Sequence, residues 1–313
     1  MFLDTSFRCA PPIVWTLHDA WAWCAAGGTL FRAGRACPGP SRECVPCTSA
    51  WCRDAPAIEP ALAVAGMVGR VVPPAKLHGA WKRLPASVRA LAARPGPPVS
   101  AAQLAARSAA LFAFAQRCAT ITAPSRWYAE AAARQGIAGV RVVPLGVPPR
   151  ARQRCVTDTS PFVFLGTISS MKGPDLVRRA HEKSGLRVPL RIVGPPGPDP
   201  GYVASVPNDG PTTDVSAMLA SARALVLGSR WPENAPLVIL EARAADCPVL
   251  APDIGGIPEI VTDGVDGLLY APGDESALAD AMKRAAVTAF SPRPPPTLSQ
   301  HLDAVERLYR EYC

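Results

Sequence analysis

From Pro161 onward, short apolar runs alternate with segments that have the periodicity of amphipathic helices, and this alternation constrains the fold more than any other feature. The predicted strands are FVFLGT (162–167), LRIVG (190–194), ALVLGS (224–229) and CPVLAPD (247–253). Between them lie the predicted helices, at 173–183, 213–222 and 236–245. Continuously apolar strands joined by helices indicate a parallel, doubly wound α/β sheet that is covered on both faces. Ligands of such sheets bind beyond the carboxyl ends of the strands.

The first 150 residues carry a weaker pattern. The predicted strands are 12–19, 118–125 and 141–147, and the predicted helices are 101–117 and 126–135. Because no strand and glycine-rich loop precede Pro11, we expect a shortened first domain. The predicted domains are an incomplete Rossmann-like domain (1–150), a second Rossmann-like domain (151–297) and a closing helix (298–313).

Charge is distributed unevenly between the two halves. Residues 1–160 carry 19 Lys and Arg against 7 Asp and Glu (net +12), whereas residues 161–313 carry 14 against 18 (net −4). The basic half indicates either peripheral contact with anionic membrane lipid or a solvated basic face. It lacks the interleaved aromatic residues of a nucleic-acid-binding module, so no nucleic-acid partner is predicted. No apolar run reaches the ~20 residues that cross a bilayer, and the start does not have the pattern of a signal peptide, so we expect a cytoplasmic protein.

Four cysteines lie close together in CPGPSRECVPCTSAWC, at Cys37, Cys44, Cys47 and Cys52. In a cytoplasmic protein such cysteines are thiols or metal ligands rather than disulfides. One CxxC pair with two flanking cysteines could hold structural zinc, but the second pair lacks CxxC spacing. The sequence therefore leaves both interpretations open, and no catalytic metal is predicted.

The segment SRWPENAPLVILE (229–241) follows a strand and enters a helix. We predict Asn234 as the N-cap and Pro236 in the first turn, so that free amide donors and the positive end of the helix dipole face the crevice of the sheet, as in a phosphate site. Glu241, on a helix rich in Leu, Ile and Ala, needs partners, and ribose hydroxyls are suitable donors. Glu233, before the helix, could reach another part of the same ligand. The alternative is that both are ordinary acids at a helix start.

A second segment, FLGTISSMKG (164–173), supports the ligand interpretation. Gly166 lies at a strand end and Lys172 just before a helix, at the same edge of the sheet. A lysine at this point offers a positive charge to a diphosphate. Farther along, Gly255 and Gly256 would allow a ligand to approach the backbone closely.

Together these segments resemble the family 4 retaining glycosyltransferases of GT-B architecture, which have two Rossmann-like domains. The resemblance covers nearly the whole chain. It is carried by TLHDAW (16–21), APSRW (123–127), VVPLGV (142–147), FLGTISSMKG (164–173), ENAPLVILEA (233–242), CPVLAPDIGGIPEIV (247–261), DGVDGLLYAPGD (263–274) and the closing helix. The family usually has a further stretch before TLHD, with a glycine-rich loop near the donor, which agrees with the expectation of a shortened N-terminal domain.

The resemblance implies roles for individual residues. Lys172 would hold the donor diphosphate and Glu241 the ribose, while Glu233 would lie beside the donor sugar. His18 would reach the sugar across the cleft and is, with Glu233, a candidate catalytic residue. The other candidate donor-binding residues are Gly166, Thr167, Asn234, Ala235, Pro236 and Leu237. Thr167 stands where the family often has an arginine, so one phosphate contact is lost or supplied elsewhere.

The implied activity is transfer of a sugar, with retained anomeric configuration, from a UDP-, GDP- or ADP-sugar to a saccharide or lipid-linked acceptor. No Asp-x-Asp pair is present for a divalent cation, and no cofactor is expected. No carboxylate can be named as a covalent nucleophile, so the family implies a same-face displacement through an oxocarbenium-like transition state. The alternative function is a non-catalytic nucleotide-binding remnant or subunit. The donor base, the sugar, the acceptor and the oligomeric state cannot be read from the sequence.

Overall fold

The computed structural model describes residues 12–28, 30–32, 34–54, 98–149 and 154–312. Of these, the residues within 1–20, 29–38 and 112–313 form one compact unit, and those within 21–28 and 39–111 form a second. The two units are sets of residues that are mostly in contact with one another. The predicted domain division at residue 150 is a different boundary and stays a prediction.

The predicted elements occur in the predicted order, and the described residues form further strands and helices that the sequence analysis does not predict. The strands are β1 (Val14–Thr16), β2 (Phe31–Arg32), β3 (Arg35–Ala36), β4 (Thr120–Ala123), β5 (Arg141–Val142), β6 (Phe162–Leu165), β7 (Leu190–Val193), β8 (Ala224–Val226), β9 (Val249–Pro252) and β10 (Gly267–Tyr270). The helices are α1 (Cys44–Asp54), α2 (Ala101–Arg117), α3 (Arg126–Arg134), α4 (Pro174–Ser184), α5 (Pro200–Ser205), α6 (Val215–Ser221), α7 (Leu237–Ala244), α8 (Ile257–Ile260), α9 (Glu275–Val287) and α10 (Leu298–Arg310).

The larger sheet confirms the prediction of a parallel, doubly wound α/β arrangement. Its five strands are all parallel, in the order β10-β9-β8-β6-β7. After β6 the chain adds β7 on one side and then returns to add β8 on the other. The strand order therefore reverses between β6 and β8, and a reversal of this kind opens a crevice at the carboxyl ends of the two strands.

Both faces of this sheet are covered, as the apolar strands predicted. In β6, Phe162 and Phe164 lie in one core cluster, which also holds apolar residues of α4 and α9. Val163 and Leu165 point to the opposite face and pack with residues of α6 and α7. Burying each of these side chains contributes about 1.5–3 kcal/mol, so the β6 strand, which leads into the crevice, is rigidly placed.

A smaller parallel sheet, β1-β4-β5, belongs to the same unit. The closing helix α10 packs back on it, as expected from the sequence. Thr297 caps α10 and forms a bridge with Val147, just after β5. At the other end of α10, Arg141 of β5 pairs with Glu311.

The second unit contains α1 and the first part of α2. Ser49 of α1 accepts a hydrogen bond from the N–H of Val99 (3.0 Å), and Ser100 and Gln103 form a reciprocal cap at the start of α2. Arg107 lies over the ring of Trp21, 4.6 Å from its centroid.

Two of the four clustered cysteines, Cys44 and Cys47, lie in the first turn of α1 and are partly buried. Cys37 belongs to the other unit, and the side chain of Cys52 lies outside the described residues. Within the described ranges, no three His, Cys, Asp or Glu side chains are grouped so that they could hold a metal ion. The role of this cluster stays open.

Among the helices that the structure describes, none is both long and apolar enough to cross a membrane.

Candidate functional site

The segments that follow β6 and β8 bring two of the predicted site residues together. Lys172 lies in the turn after β6, and Glu233 lies in the segment after β8. The Lys172 ammonium is 2.6 Å from Oε1 of Glu233. The crevice that the strand order predicts therefore contains a cation and a carboxylate in direct contact.

The turn that carries Lys172 is fixed by close backbone packing. Gly173, which directly precedes α4, has a left-handed backbone with φ of 64°. A Cβ atom there would lie 2.1 Å from the carbonyl oxygen of Gly228, and a Cβ at Gly228 would lie 2.2 Å from the carbonyl oxygen of Gly173. Only glycine fits at these positions, so the two segments can approach closely enough for Lys172 to reach Glu233.

Glu233 is almost completely buried, with 4% of its surface exposed. Its Oε1 accepts hydrogen bonds from Lys172, from the Ser229 hydroxyl (2.8 Å) and from the Trp231 indole N–H (3.0 Å). The Lys172 ammonium also lies 5.2 Å from the centroid of the Trp231 ring. The other carboxylate oxygen of Glu233, Oε2, accepts no hydrogen bond from any described residue. One oxygen of the carboxylate is thus saturated, and the other remains available to a donor.

Glu241 lies on α7, one turn after Leu237 on the same face of the helix. Leu237 is half exposed, so this face is open to solvent at its start. Partial burial raises the pKa of the Glu241 carboxyl above its ordinary value. No hydrogen bond or ion pair joins this carboxylate to the part of the chain that is described, so its charge is stabilised only by solvent.

Asn234 does not cap α7, and this part of the prediction is wrong. The helix begins at Leu237, and Pro236 occupies the N-cap position without a side-chain hydrogen bond. Asn234 instead donates from Nδ2 to the carbonyl oxygens of Leu17 (3.0 Å) and His18 (3.1 Å). Proline disfavours helical backbone in the residue before it, here Ala235, so the helix starts later and leaves the side chain of Asn234 free for these bonds.

The bonds of Asn234 tie the two sheets of this unit together. Its Oδ1 accepts from Ser125, which caps α3 by accepting from the N–H of Tyr128. Asn234 directly follows Glu233, the candidate catalytic acid, and it binds the carbonyl of His18. The backbone of His18 is therefore held next to Glu233.

The side chain of His18 is exposed, and the residue borders a hollow of about 80 Å³ that includes none of Lys172, Glu233 and Glu241. Thr16 and Thr122 of the smaller sheet and His301 of α10 also line this hollow. The structure therefore brings the backbone of His18 to the candidate site, whereas its approach to a sugar stays a prediction.

Gly255 and Gly256 serve a different contact from the one predicted. A Cβ at Gly255 would lie 2.3 Å from the carbonyl oxygen of Glu233, and a Cβ at Gly256 would lie 2.0 Å from that of Asn234. The N–H of Gly256 donates to the Glu233 carbonyl (2.7 Å). The space that the missing side chains leave is filled by the 233–234 backbone, and the two glycines fix the segment that carries Glu233.

The remaining predicted donor residues lie on the segments that follow β6 and β8. Gly166 directly follows β6 and is tied to β7 by a hydrogen bond from its N–H to the Val193 carbonyl (3.1 Å). Thr167 follows it in the turn toward Lys172, and Ala235 and Pro236 are partly buried before α7. Sequence reasoning missed Arg230 and Asp175, because these two partners lie 55 residues apart in the chain, and it also missed Trp231, although its partner Glu233 is only two residues away.

The comparisons with known proteins give the fold and a family match over part of the chain. The α/β fold with its parallel sheets is that of GT-B glycosyltransferases, and residues 160–286 match the family model described as Glycosyl transferases group 1. The family model and the relatives matched are those of glycosyltransferases.

Two relatives illustrate the similarity in sequence, both with the name D-inositol 3-phosphate glycosyltransferase. The protein of Mycobacterium avium is 36% identical over 141 residues, which cover 40% of this chain and 33% of the relative. That of Frankia alni is 31% identical over 158 residues, which cover 43% of this chain and 39% of the relative. The chain thus matches well under half the length of these relatives.

Two solved structures illustrate the similarity in fold. Alr3699/HepE of Anabaena, solved in complex with UDP, has a TM-score of 0.55 at 20% identity, covering 69% of this chain and 70% of that one. Sucrose-phosphate synthase of Thermosynechococcus elongatus has a TM-score of 0.52 at 21% identity, covering 66% and 61%.

Proposed function

We propose that the protein is a family 4 retaining glycosyltransferase that moves a sugar from a nucleoside diphosphate donor to a saccharide or lipid-linked acceptor. The observation that carries this proposal is the contact between Lys172 and Glu233 at the point where the strand order of the larger sheet reverses. A diphosphate and a sugar are the two parts of one donor that an ammonium and a carboxylate can bind side by side.

Each group has a distinct task in this proposal. Lys172 and the uncapped start of α7 stabilise the negative charge that develops on the diphosphate leaving group. Glu233 is held by Ser229 and Trp231, so its second oxygen is directed to a sugar hydroxyl. Glu241 accepts from ribose hydroxyls, which supply the donors that the described part of the chain does not.

The remaining features of the proposal come from the resemblance and from charge. His18 acts on the sugar as the second candidate catalytic residue. Transfer proceeds by same-face displacement and needs no cofactor. The protein is cytoplasmic, and the net charge of +12 over residues 1–160 supports a peripheral contact with anionic membrane lipid.

The site assignment is tested by calorimetric titration of UDP, GDP and ADP, and then of the matching sugar nucleotides. UDP comes first because the structurally similar HepE was solved with it. Lys172→Ala and Glu241→Ala should each weaken binding at least tenfold, which is about 1.4 kcal/mol. Lys283→Ala is the matched control, since this lysine is half exposed on α9 and, among the described residues, pairs only with Asp280.

Two outcomes would overturn parts of the proposal. If both variants bind the donor like the wild type, the assignment of the site is wrong. If the wild type binds a sugar nucleotide but neither hydrolyses it nor transfers its sugar to any acceptor, the protein is the non-catalytic nucleotide-binding subunit instead.

A further inference from the structure

Beside the Lys172–Glu233 contact lies an ion pair that no motif indicates. The guanidinium of Arg230 binds both oxygens of Asp175, with Nη1 2.8 Å from Oδ1 and Nη2 2.6 Å from Oδ2. Both side chains are more than four-fifths buried. A bidentate pair of this kind fixes orientation as well as distance.

Arg230 holds the Lys172 turn on both sides of the lysine. Its backbone N–H donates to the carbonyl of Met171 (2.8 Å), and Nη1 also donates to the carbonyl of Ser170 (2.8 Å). Asp175, in the first turn of α4, lies three residues after Lys172. Arg230 thus contacts the chain just before Lys172 and just after it.

The carboxylate partner is itself anchored. The Tyr202 hydroxyl donates to Oδ1 of Asp175, and Arg179 donates to Oδ2 (2.9 Å). Burial alone would raise the pKa of Asp175, but the hydrogen bonds from Arg230 and Tyr202 and the charge of Arg230 outweigh it and hold the pKa well below the ordinary value. The carboxylate is therefore charged at neutral pH.

Arg230 also lies in the same segment as the groups that bind Glu233. Ser229 and Trp231, its two neighbours, both donate to Oε1 of Glu233. One residue therefore connects the segment that carries the carboxylate to the turn that carries the ammonium. The hydrogen bonds of its guanidinium go to the chain, so its contact with the donor is indirect.

We propose that Arg230, through Asp175, is the positioning residue for Lys172 and sets how strongly this lysine binds the diphosphate of the donor. This inference rests on the proposed function and adds to it a residue that acts through another. A lysine is a point charge on a flexible four-carbon stem, so the place of its backbone decides how much of its charge reaches a phosphate. Loosening the turn should cost affinity for phosphate and none for the nucleoside.

The test compares UDP with uridine by calorimetry, or GDP with guanosine or ADP with adenosine if the wild type prefers that base. Arg230→Gln should reduce the ratio of diphosphate to nucleoside affinity about tenfold, with nucleoside affinity unchanged within twofold. Arg230→Lys keeps the charge but loses the bidentate geometry, so it should lower the ratio less. Arg191→Gln, which removes an exposed arginine paired with Asp209, should leave the ratio unchanged.

A double-mutant cycle separates positioning from general stability. In a Lys172→Ala background, Arg230→Gln should have no further effect on diphosphate affinity. Equal losses for diphosphate and nucleoside, or a full additional loss in the Lys172→Ala background, would overturn the inference while leaving the proposed function standing. A wild type that binds none of the three diphosphates would overturn the proposed function itself. If Arg230→Gln fails to fold, Arg230→Lys and Asp175→Asn carry the same comparison.

Discussion

At the scale of single residues, Glu241 combines partial burial with the lack of any cation or hydrogen-bond donor within the described chain. Burial raises its pKa, which means that the folded protein disfavours its charged form. A ligand that supplies hydrogen-bond donors to Glu241 would explain why a carboxylate occupies this partly buried position. Stability and binding should then respond to its removal in opposite directions.

We predict that Glu241→Gln stabilises the protein in the absence of nucleotide and weakens donor binding. Because the group is partly exposed, water screens much of the cost, so the gain is only on the order of 0.3 kcal/mol, or about 1 °C in Tm. Thermal unfolding with and without UDP measures both effects. Glu306→Gln, on the exposed side of α10, is the control. A lower Tm without nucleotide, or an undiminished shift with UDP, would contradict the prediction.

Single residues also show which features of the site the sequence can predict and which it cannot. Lys172, Glu233 and Glu241 were named from strand ends and a helix start, which are local patterns, and the structure brings Lys172 and Glu233 into contact. Asn234 was assigned to the wrong partner, because its hydrogen bonds go to Leu17 and His18, more than 200 residues away. The type of a polar residue predicts that it will bind, but only the tertiary fold decides to what.

At the scale of elements, α3 has a cap that comes from another part of the chain. The Glu259 carboxylate accepts from the backbone N–H groups of Arg126 (2.8 Å) and Trp127 (2.7 Å), at the positive end of the helix dipole. Glu259 belongs to α8, between the larger sheet's β9 and β10, whereas α3 follows β4 of the smaller sheet. This contact therefore joins helices that belong to different sheets.

We predict that Glu259→Gln lowers the free energy of unfolding by about 1 kcal/mol, because the amide keeps one acceptor oxygen but loses the charge. Amide hydrogen exchange at Arg126 and Trp127 should become faster. Glu130→Gln is the matched control on the same helix: Glu130 is exposed and pairs loosely with Arg134, so its loss should cost less than 0.5 kcal/mol. Equal losses of unfolding free energy in the two variants would show that the Glu259 cap stabilises the protein no more than an exposed ion pair does.

Most of the described strands and helices were predictable from the sequence, whereas some of their ends were not. Strand 141–147 was predicted from an apolar run, but only Arg141–Val142 pair with β4. The apolar residues that follow have another use, since Val143 and Leu145 line the hollow beside α10 and Val147 forms a bridge to Thr297. An apolar pattern reports burial, whereas a strand also needs a partner with free N–H and C=O groups.

At the scale of the whole molecule, two buried carboxylates tie distant segments together. Asp175 joins α4 to the segment after β8 through Arg230. Asp266, which is fully buried before β10, accepts from the N–H groups of Thr262 and Arg293 and from the Arg293 guanidinium (2.9 Å). Through Arg293, it holds the proline-rich segment that leads to α10.

These carboxylates have the same effect on the dependence of stability on pH. Burial by itself would raise the pKa of Asp266, but its hydrogen bonds to Arg293 and Thr262 outweigh it and lower the pKa. The pKa of Asp175 is lowered in the same way. A group whose pKa is lower in the folded state than in the unfolded state binds fewer protons when folded, so its contribution is complete above the unfolded value of about 4 and is lost as the pH falls below it.

We therefore predict that the free energy of unfolding changes little between about pH 7 and pH 5 from these two groups, and falls by on the order of 2 kcal/mol between about pH 5 and pH 3. Urea unfolding at a series of pH values measures the curve. Asp175→Asn and Asp266→Asn should each flatten the acid limb while lowering stability at neutral pH, because Arg230, which is mostly buried, or Arg293 loses its carboxylate partner. Asp280→Asn, at an exposed position on α9, should leave the shape unchanged. An acid limb that is as steep in both buried-site variants as in the wild type would mean that other carboxylates control acid unfolding, and that neither Asp175 nor Asp266 holds the fold through its charge.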